Sequence, residues 1–216
     1  MLNLIGSTPL PTEFGDWTYS VFFDDAERKY HTMMIHKRPE DIQAHPEDVL
    51  VRVHSSCATS ELFHAINCEC REELEEAMKR IQDEGRGILI YLDQEGGGNG
   101  IEAKIKAINM AYAWNNNKII ASAKDDMNAY TAYKSIGYQK ESRVFGIAAE
   151  MLKRAGVRSV RLLTNNPLKI KGLEDSGIKT VAIGIHIKPK NEFVAKHLKA
   201  KAEELGHNIT QEDWEN

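Results

Sequence analysis

Cys57, Cys68 and Cys70 are the only thiols of the chain, and they are spaced Cys-x10-Cys-x-Cys. Three thiolates on one ion leave a tetrahedral metal with its fourth position open, and a zinc held that way lowers the pKa of a bound water toward about 7. The chemistry on offer is therefore hydrolytic. Cys-x-Cys is tighter than the ligand gap of zinc fingers, and free cysteine is among the most buried residue types. The spacing alone is compatible with a metal site and with three small core side chains.

The flanking elements must position these residues. VLVRVH alternates as a strand does and delivers His54, Ser55, Ser56 and Cys57 to its C-terminal end, where open α/β sheets bind ligands. REELEEAMKRIQDEG predicts a helix, with Leu74, Ala77, Met78 and Ile81 on one stripe and Gly85 as its stop. GILIYL predicts the next strand, which empties into DQEGGGNG. Glycines between a strand and a helix let backbone N–H groups approach an anion or a ribose. GGGNG has neither the Walker A nor the dinucleotide spacing, so a plain flexible turn reads the same way.

Residues 1–16, with Pro9 and Pro11, read as a loop; WTYSVFF reads as the first strand, joined by a hairpin through DDAERK to YHTMMIH, and EDIQAHPED as a connection. A helix is predicted from Ile101 to Trp114, with Ile101, Ile105, Ile108 and Tyr112 on one face. A long link over 115–136 follows, suited to a lid or to neutral surface elaboration. ESRVFGIAAEMLKRAG and LKIKGLEDSG read as helices, VRSVRLL and KTVAIGIHI as strands, and NEFVAKHLKAKAEELGH as a terminal helix. This alternation predicts an α/β fold, a single domain over 1–216 with a mixed or mostly parallel sheet and flanking helices.

A net charge of −4 disfavours a nucleic-acid binder. Without an 18-residue apolar run or a basic-then-apolar start, a membrane location is not expected. Three thiols without a disulfide framework point to the cytoplasm.

RVHSSC, the three-cysteine pattern, EGRGILIYLDQEG, GYQKESRVFGIAAEMLKRAGVRSVRLLTNNP and NEFVAKHLKAKAEELGH together resemble GTP cyclohydrolase II. That family is a zinc enzyme that opens the guanine ring at the start of riboflavin synthesis. The resemblance implies one Zn2+ per chain on Cys57, Cys68 and Cys70, Mg2+ with the nucleotide phosphates, and a homodimer. Glu141 stands where the family places a carboxylate proton acceptor, usually an aspartate. Arg143 matches the arginine credited with attack on the α-phosphate and release of pyrophosphate; a guanidinium is always protonated, so clamping phosphate oxygens is the physically simpler role. The nucleotide contacts implied are Arg52, Val53, His54, Ser55, Ser56, Glu73, Glu95, Gly96, Gly97, Thr164 and Lys169.

Several positions depart from the family. Asp93 and Gly97 stand where arginines are usual, Asn67 replaces an arginine before Cys68, and Glu73 replaces a glutamine. A charge-assisted hydrogen bond to phosphate contributes about 1.5–3 kcal/mol, so each missing arginine weakens the grip on a triphosphate unless Lys104, Lys106, Lys118 or Lys124 substitutes. A different or less phosphorylated nucleotide is thus an alternative substrate, and a non-enzymatic zinc-stabilised nucleotide binder the third reading. Ile108 replaces a tyrosine that the family uses in the later hydrolytic step. Ring opening is therefore expected to stop at the formylamino product, unless Tyr112, one turn on, compensates.

Overall fold

The computed structural model describes residues 1–116, 118–121 and 128–215. Three strands come first, β1 (Leu2–Thr12), β2 (Gly15–Asp24) and β3 (Lys29–His36), then α1 (Pro39–Ala44) and β4 (Val49–Ser55). Next are α2 (Ala58–Glu61), α3 (Cys70–Glu84), β5 (Ile88–Leu92) and α4 (Gly100–Ala111). A hairpin of β6 (Tyr112–Asn115) and β7 (Lys118–Ala121) precedes α5 (Ala129–Ser135), α6 (Gly146–Arg154) and β8 (Ser159–Leu163). The chain closes with α7 (Pro167–Glu174), β9 (Lys179–Ile183), α8 (Glu192–Leu205) and α9 (Glu212–Glu215). These elements form two units, and each unit draws on separated stretches of chain.

The first unit comprises Met1–Ser56, Arg71–Asp93 and Val144–Ile185. Its seven-stranded sheet has the order β1-β2-β3-β5-β4-β8-β9. β1, β2, β3 and β5 pair antiparallel, whereas β5, β4, β8 and β9 pair parallel, so the α/β sheet is mixed. β4 is buried on both faces, as a parallel strand must be when helices cover it. Val51 and Val53 join Ile88, Ile90 and Leu92 against Ala148, Ala149, Met151 and Leu152 of α6. The opposite face sets Leu50 and Leu89 against Ala77, Met78 and Ile81 of α3. Each fully buried aliphatic side chain stabilises by about 1.5–3 kcal/mol.

Two expectations for this unit need correction. Residues 2–12 are a strand and not a loop, paired with β2 at the sheet edge. Pro9 and Pro11 are two residues apart, so both missing N–H groups fall on the unpaired side of an edge strand, where proline is tolerated. The connection EDIQAHPED contains α1, started by Pro39 at its first turn and anchored by the fully buried Ile42.

The second unit comprises Cys57–Cys70, Gln94–Arg143 and His186–Asn216. Here the predicted helix ends at Ala111, three residues early, because Tyr112 takes an extended conformation and opens β6. The buried face of α4 is also not the predicted one. Ala103, Ala107 and Ala111 are buried, while Ile101 and Ile105 are 52% and 54% exposed. The alanines pack with Tyr130, Ala132 and Tyr133 of α5 and Ala200 of α8, and small side chains let these helices approach. Asn128 caps α5, accepting from the backbone of Tyr130 and Thr131. The link expected over 115–136 thus holds β7 and α5; residues 117 and 122–127, including Lys124, lie outside the described residues. Among the described residues, no helix is long and apolar enough to cross a membrane.

Candidate active site

The three cysteines converge in the second unit. Cys57 stands at the N-terminal cap position of α2 and Cys70 opens α3, with Cys68 two residues earlier. Their sulfurs lie within 4.8 Å of one another, and the Cys57 and Cys68 Sγ atoms are 3.7 Å apart. Lys104 Nζ, from α4, donates to Cys57 Sγ at 3.1 Å and to Glu95 Oε1 at 2.7 Å. Glu95 in turn accepts from the backbone N–H of Ala58 at 2.7 Å and of Gly96 at 2.8 Å. This carboxylate therefore joins the glycine loop after β5 to the turn after Cys57.

Charge on the triad is unequal. Hydrogen bonds from Cys68 and Cys70, with the Lys104 ammonium, hold the Cys57 thiol far below its ordinary value against the opposing effect of burial. The bond to Cys57 pushes Cys68 up to about 12, and Cys70 also rises well above the ordinary thiol range. Burial would lower the Lys104 ammonium, but the Cys57 sulfur and Glu95 raise it. One thiolate already formed, with two more sulfurs at ligand distance, is a donor set that fits a soft divalent cation. A metal there would take all three sulfurs deprotonated.

The Cys-x-Cys turn is anchored through the residue between its cysteines. Glu69 is 1% exposed, and its carboxylate meets His197 Nδ1 at 2.8 Å and the Lys201 ammonium, both on α8. Glu141 and Arg143 also belong to this unit. They lie in the loop before α6 and not within a helix, as expected from ESRVFGIAAEM, because α6 starts only at Gly146. The Arg143 Nε donates to Glu141 Oε1 at 2.7 Å, and a terminal guanidinium nitrogen pairs with Oε2. The loop is pinned by Ser142 N–H to Gly97 C=O at 2.9 Å. Gly98 has φ +84°, and a Cβ there would stand 2.7 Å from Ser142 backbone, so only glycine permits this approach.

In the first unit, Arg52, His54 and Glu73 come together on the α3 face of the sheet. Arg52 is buried; it donates to Leu163 C=O at 2.9 Å and to His54 Nδ1 at 3.4 Å, and it pairs with Glu73. The His54 ring stacks on Tyr91 at 5.9 Å. The side chain of Val53 is in the core, and its carbonyl accepts from Lys169 Nζ at 2.8 Å. That ammonium also lies 5.6 Å from the centroid of Phe145. Thr164 Oγ1 accepts from Asn166 N–H at 3.0 Å, and Asn166 caps α7 through Leu168 N–H. Ser55 ends β4, and the Ser56 N–H bonds Leu92 C=O.

A family profile described as GTP cyclohydrolase II matches residues 3–183. This chain belongs to the GTP cyclohydrolase II family. GTP cyclohydrolase-2 of Haemophilus influenzae is 33% identical over 216 residues, spanning 99% of this chain and 92% of that protein. Riboflavin biosynthesis protein RibBA of Parabacteroides distasonis is 38% identical over 201 residues, which is 92% of this chain and 45% of the relative. RibBA of Endomicrobium trichonymphae is 35% identical over 209 residues, 96% of this chain and 48% of its own. The chain spans about half the length of these RibBA relatives.

Within the family frame, several features escaped sequence reasoning. Lys104 was a candidate phosphate cation, but it is committed to Cys57 and Glu95; Lys106 is paired with Glu102 on the surface. Tyr112 does lie one turn beyond Ile108, whose carbonyl accepts its N–H, but its own backbone is extended, and its phenol meets Asn67 beside Cys68 and the edge of Phe193 at 5.5 Å. Glu69 was legible only as the middle of Cys-x-Cys. His197 and Lys201, four residues apart on one face of α8, carried no signal pointing to Glu69 128 and 132 residues earlier.

Proposed function

We propose that this member of the GTP cyclohydrolase II family is a hydrolase that opens the guanine ring of a nucleotide, with release of pyrophosphate, in riboflavin biosynthesis. The observation that carries the proposal is the cysteine triad, which holds three sulfurs within 4.8 Å beside the Lys104–Glu95 pair. Cys57, Cys68 and Cys70 would hold one Zn2+ per chain, which when bound supplies a Lewis acid and an acidified water. Glu141 accepts a proton from the adding water. Arg143 grips phosphate oxygens as a planar fork, exchanging Glu141 for the ligand. Glu95, Gly96 and Gly97 present loop backbone to the nucleotide. The remaining contacts proposed are Arg52 to Ser56, Glu73, Thr164 and Lys169, with Mg2+ on the phosphates. The whole acts as a cytoplasmic homodimer that binds neither nucleic acid nor membrane.

Asp93 and Gly97, where arginines are usual, favour a second reading in which the nucleotide carries fewer phosphates. One experiment separates the two. The protein is loaded with zinc and magnesium and given GTP, GDP, GMP and other purine and pyrimidine nucleotides, and products are read by mass spectrometry. Ring-opened product with pyrophosphate from GTP is expected. Turnover confined to GDP or GMP supports the second reading, and no turnover with zinc fully bound sinks both.

A further inference from the structure

Helix α8 lies past residue 183, where the family profile ends, so that profile says nothing of what α8 does. Phe193, His197 and Lys201 recur every fourth residue and share one of its faces. His197 Nδ1 and the Lys201 ammonium each meet one oxygen of the Glu69 carboxylate. Phe193 sets its ring against Tyr112, whose phenol bonds the Asn67 side chain. At the start of the helix, Asn191 accepts from the Phe193 and Val194 N–H groups through Oδ1 and donates from Nδ2 to Ile66 C=O at 3.0 Å. Ile66, Asn67 and Glu69 are thus tied to α8, directly or through Tyr112, on either side of Cys68 and next to Cys70. The helix is itself rooted in the second unit. The His197 ring stacks on Tyr130 of α5 at 6.1 Å, Ala200 joins the contact of α4 with α5, and Glu204 pairs with Lys140 just ahead of Glu141.

Glu69 and Lys201 are both buried. Desolvating a carboxylate and an ammonium offsets most of their attraction, so such a pair adds little net stability, but neither group can be left buried alone. The pair therefore fixes one register of the loop on the helix. Residues 66–69 lie in neither helix nor strand, whereas thiolate ligands must meet their ion within about 0.2 Å. A ligand loop without a ladder of its own needs an outside anchor.

We propose that Glu69 is a positioning residue for the metal: clamped by His197 and Lys201, it holds Cys68 and Cys70 in the geometry that binds zinc, and α8 thereby sets how tightly the ion is kept. The inference rests on the zinc ligands proposed above and adds none to them.

The test is zinc affinity, measured by competition with a chromogenic chelator at a temperature where circular dichroism shows the protein folded. Glu69→Gln and Lys201→Met, which keep side-chain size, should each weaken zinc binding by about 10- to 100-fold, the usual effect of losing an outer partner of a metal ligand. The double variant should bind as the weaker single one does, because both changes break one contact. Lys199→Ala, on the exposed side of the same helix, should bind as the wild type does. Wild-type affinity in both single variants overturns the assignment, and so does an equal loss in Lys199→Ala, which would mark a general effect on α8. Should a single variant be unfolded because it strands a buried charge, the double variant strands none and is read in its place: weakened zinc upholds the assignment and wild-type affinity overturns it. A wild type that binds no zinc removes the zinc ligands and this assignment together, whereas a wild type that binds zinc beside unaffected variants removes only the role of Glu69.

Discussion

The unequal charge on three neighbouring sulfurs is the residue-scale property from which the chemistry follows. Cys57 is held as thiolate by two thiols and an ammonium, so a divalent cation replaces two protons and gains a third ligand already ionised. Cys70→Ser and Cys68→Ser should each reduce bound zinc from one per chain to under about a tenth, since a serine hydroxyl is a poor ligand for a soft ion. Metal analysis after dialysis checks this, and full zinc content in either variant would refute the ligand set. A second residue-scale prediction concerns His31. It is 1% exposed, and its Nδ1 accepts from Asp93 N–H at 3.1 Å, fixing the end of the strand segment that leads to Glu95. Burial lowers its pKa below 6.5, although Asp24, Glu27 and Asp93 oppose this. The folded state thus prefers the neutral ring, so the stability from this group is full above the unfolded value near 6.5 and is lost as pH falls from there to the lowered folded value. In that window, His31→Gln should flatten the pH dependence of urea unfolding by up to about 1.4 kcal/mol per pH unit. Identical slopes for the two proteins would argue against it.

Helix α4 shows at the scale of one element how packing can choose against hydrophobicity. Its isoleucines at 101 and 105 face outward, and its alanines form the contact with α5 and α8. The close approach matters for the site, because it brings the Tyr133 hydroxyl and Lys104 to the same glycine loop. Ala107→Leu should destabilise by about 1–3 kcal/mol, the cost of overpacking a filled contact. Ile105→Lys should stay within about 0.5 kcal/mol, as exposed substitutions do. Denaturant unfolding of both variants checks the pair, and the reverse order would mean that the isoleucine face is the buried one.

For the molecule as a whole, the chain passes between its two units at 56/57, 70/71, 93/94, 143/144 and 185/186, so neither unit is a continuous stretch that could be cut out. On the proposal that the chain is a single domain over 1–216 and a homodimer, it should unfold in one transition, coincident by near- and far-ultraviolet circular dichroism, with a midpoint that rises with protein concentration. Two separate transitions would count against the single domain, and a midpoint independent of concentration against the dimer.

Much of this protein was written locally. The strands around β4 and β5, the stripe of α3, the Gly85 stop and the cysteine spacing follow from periodicity and residue chemistry, which act over a few residues and so are legible without a fold. Tertiary structure decided what depends on distant partners. Pro9 and Pro11 look like loop residues until β2 pairs with one side of β1 and leaves the other open. The alanine face of α4 could be preferred over its isoleucines only once α5 and α8 were there to be approached. Lys104 was one lysine among several until the fold set it between Cys57, 47 residues earlier, and Glu95. Tyr133, in a link read as a lid or neutral surface elaboration, came against Gly96 only through the packing of α5 on α4, because such a contact is set by distant partners and not by neighbours in sequence.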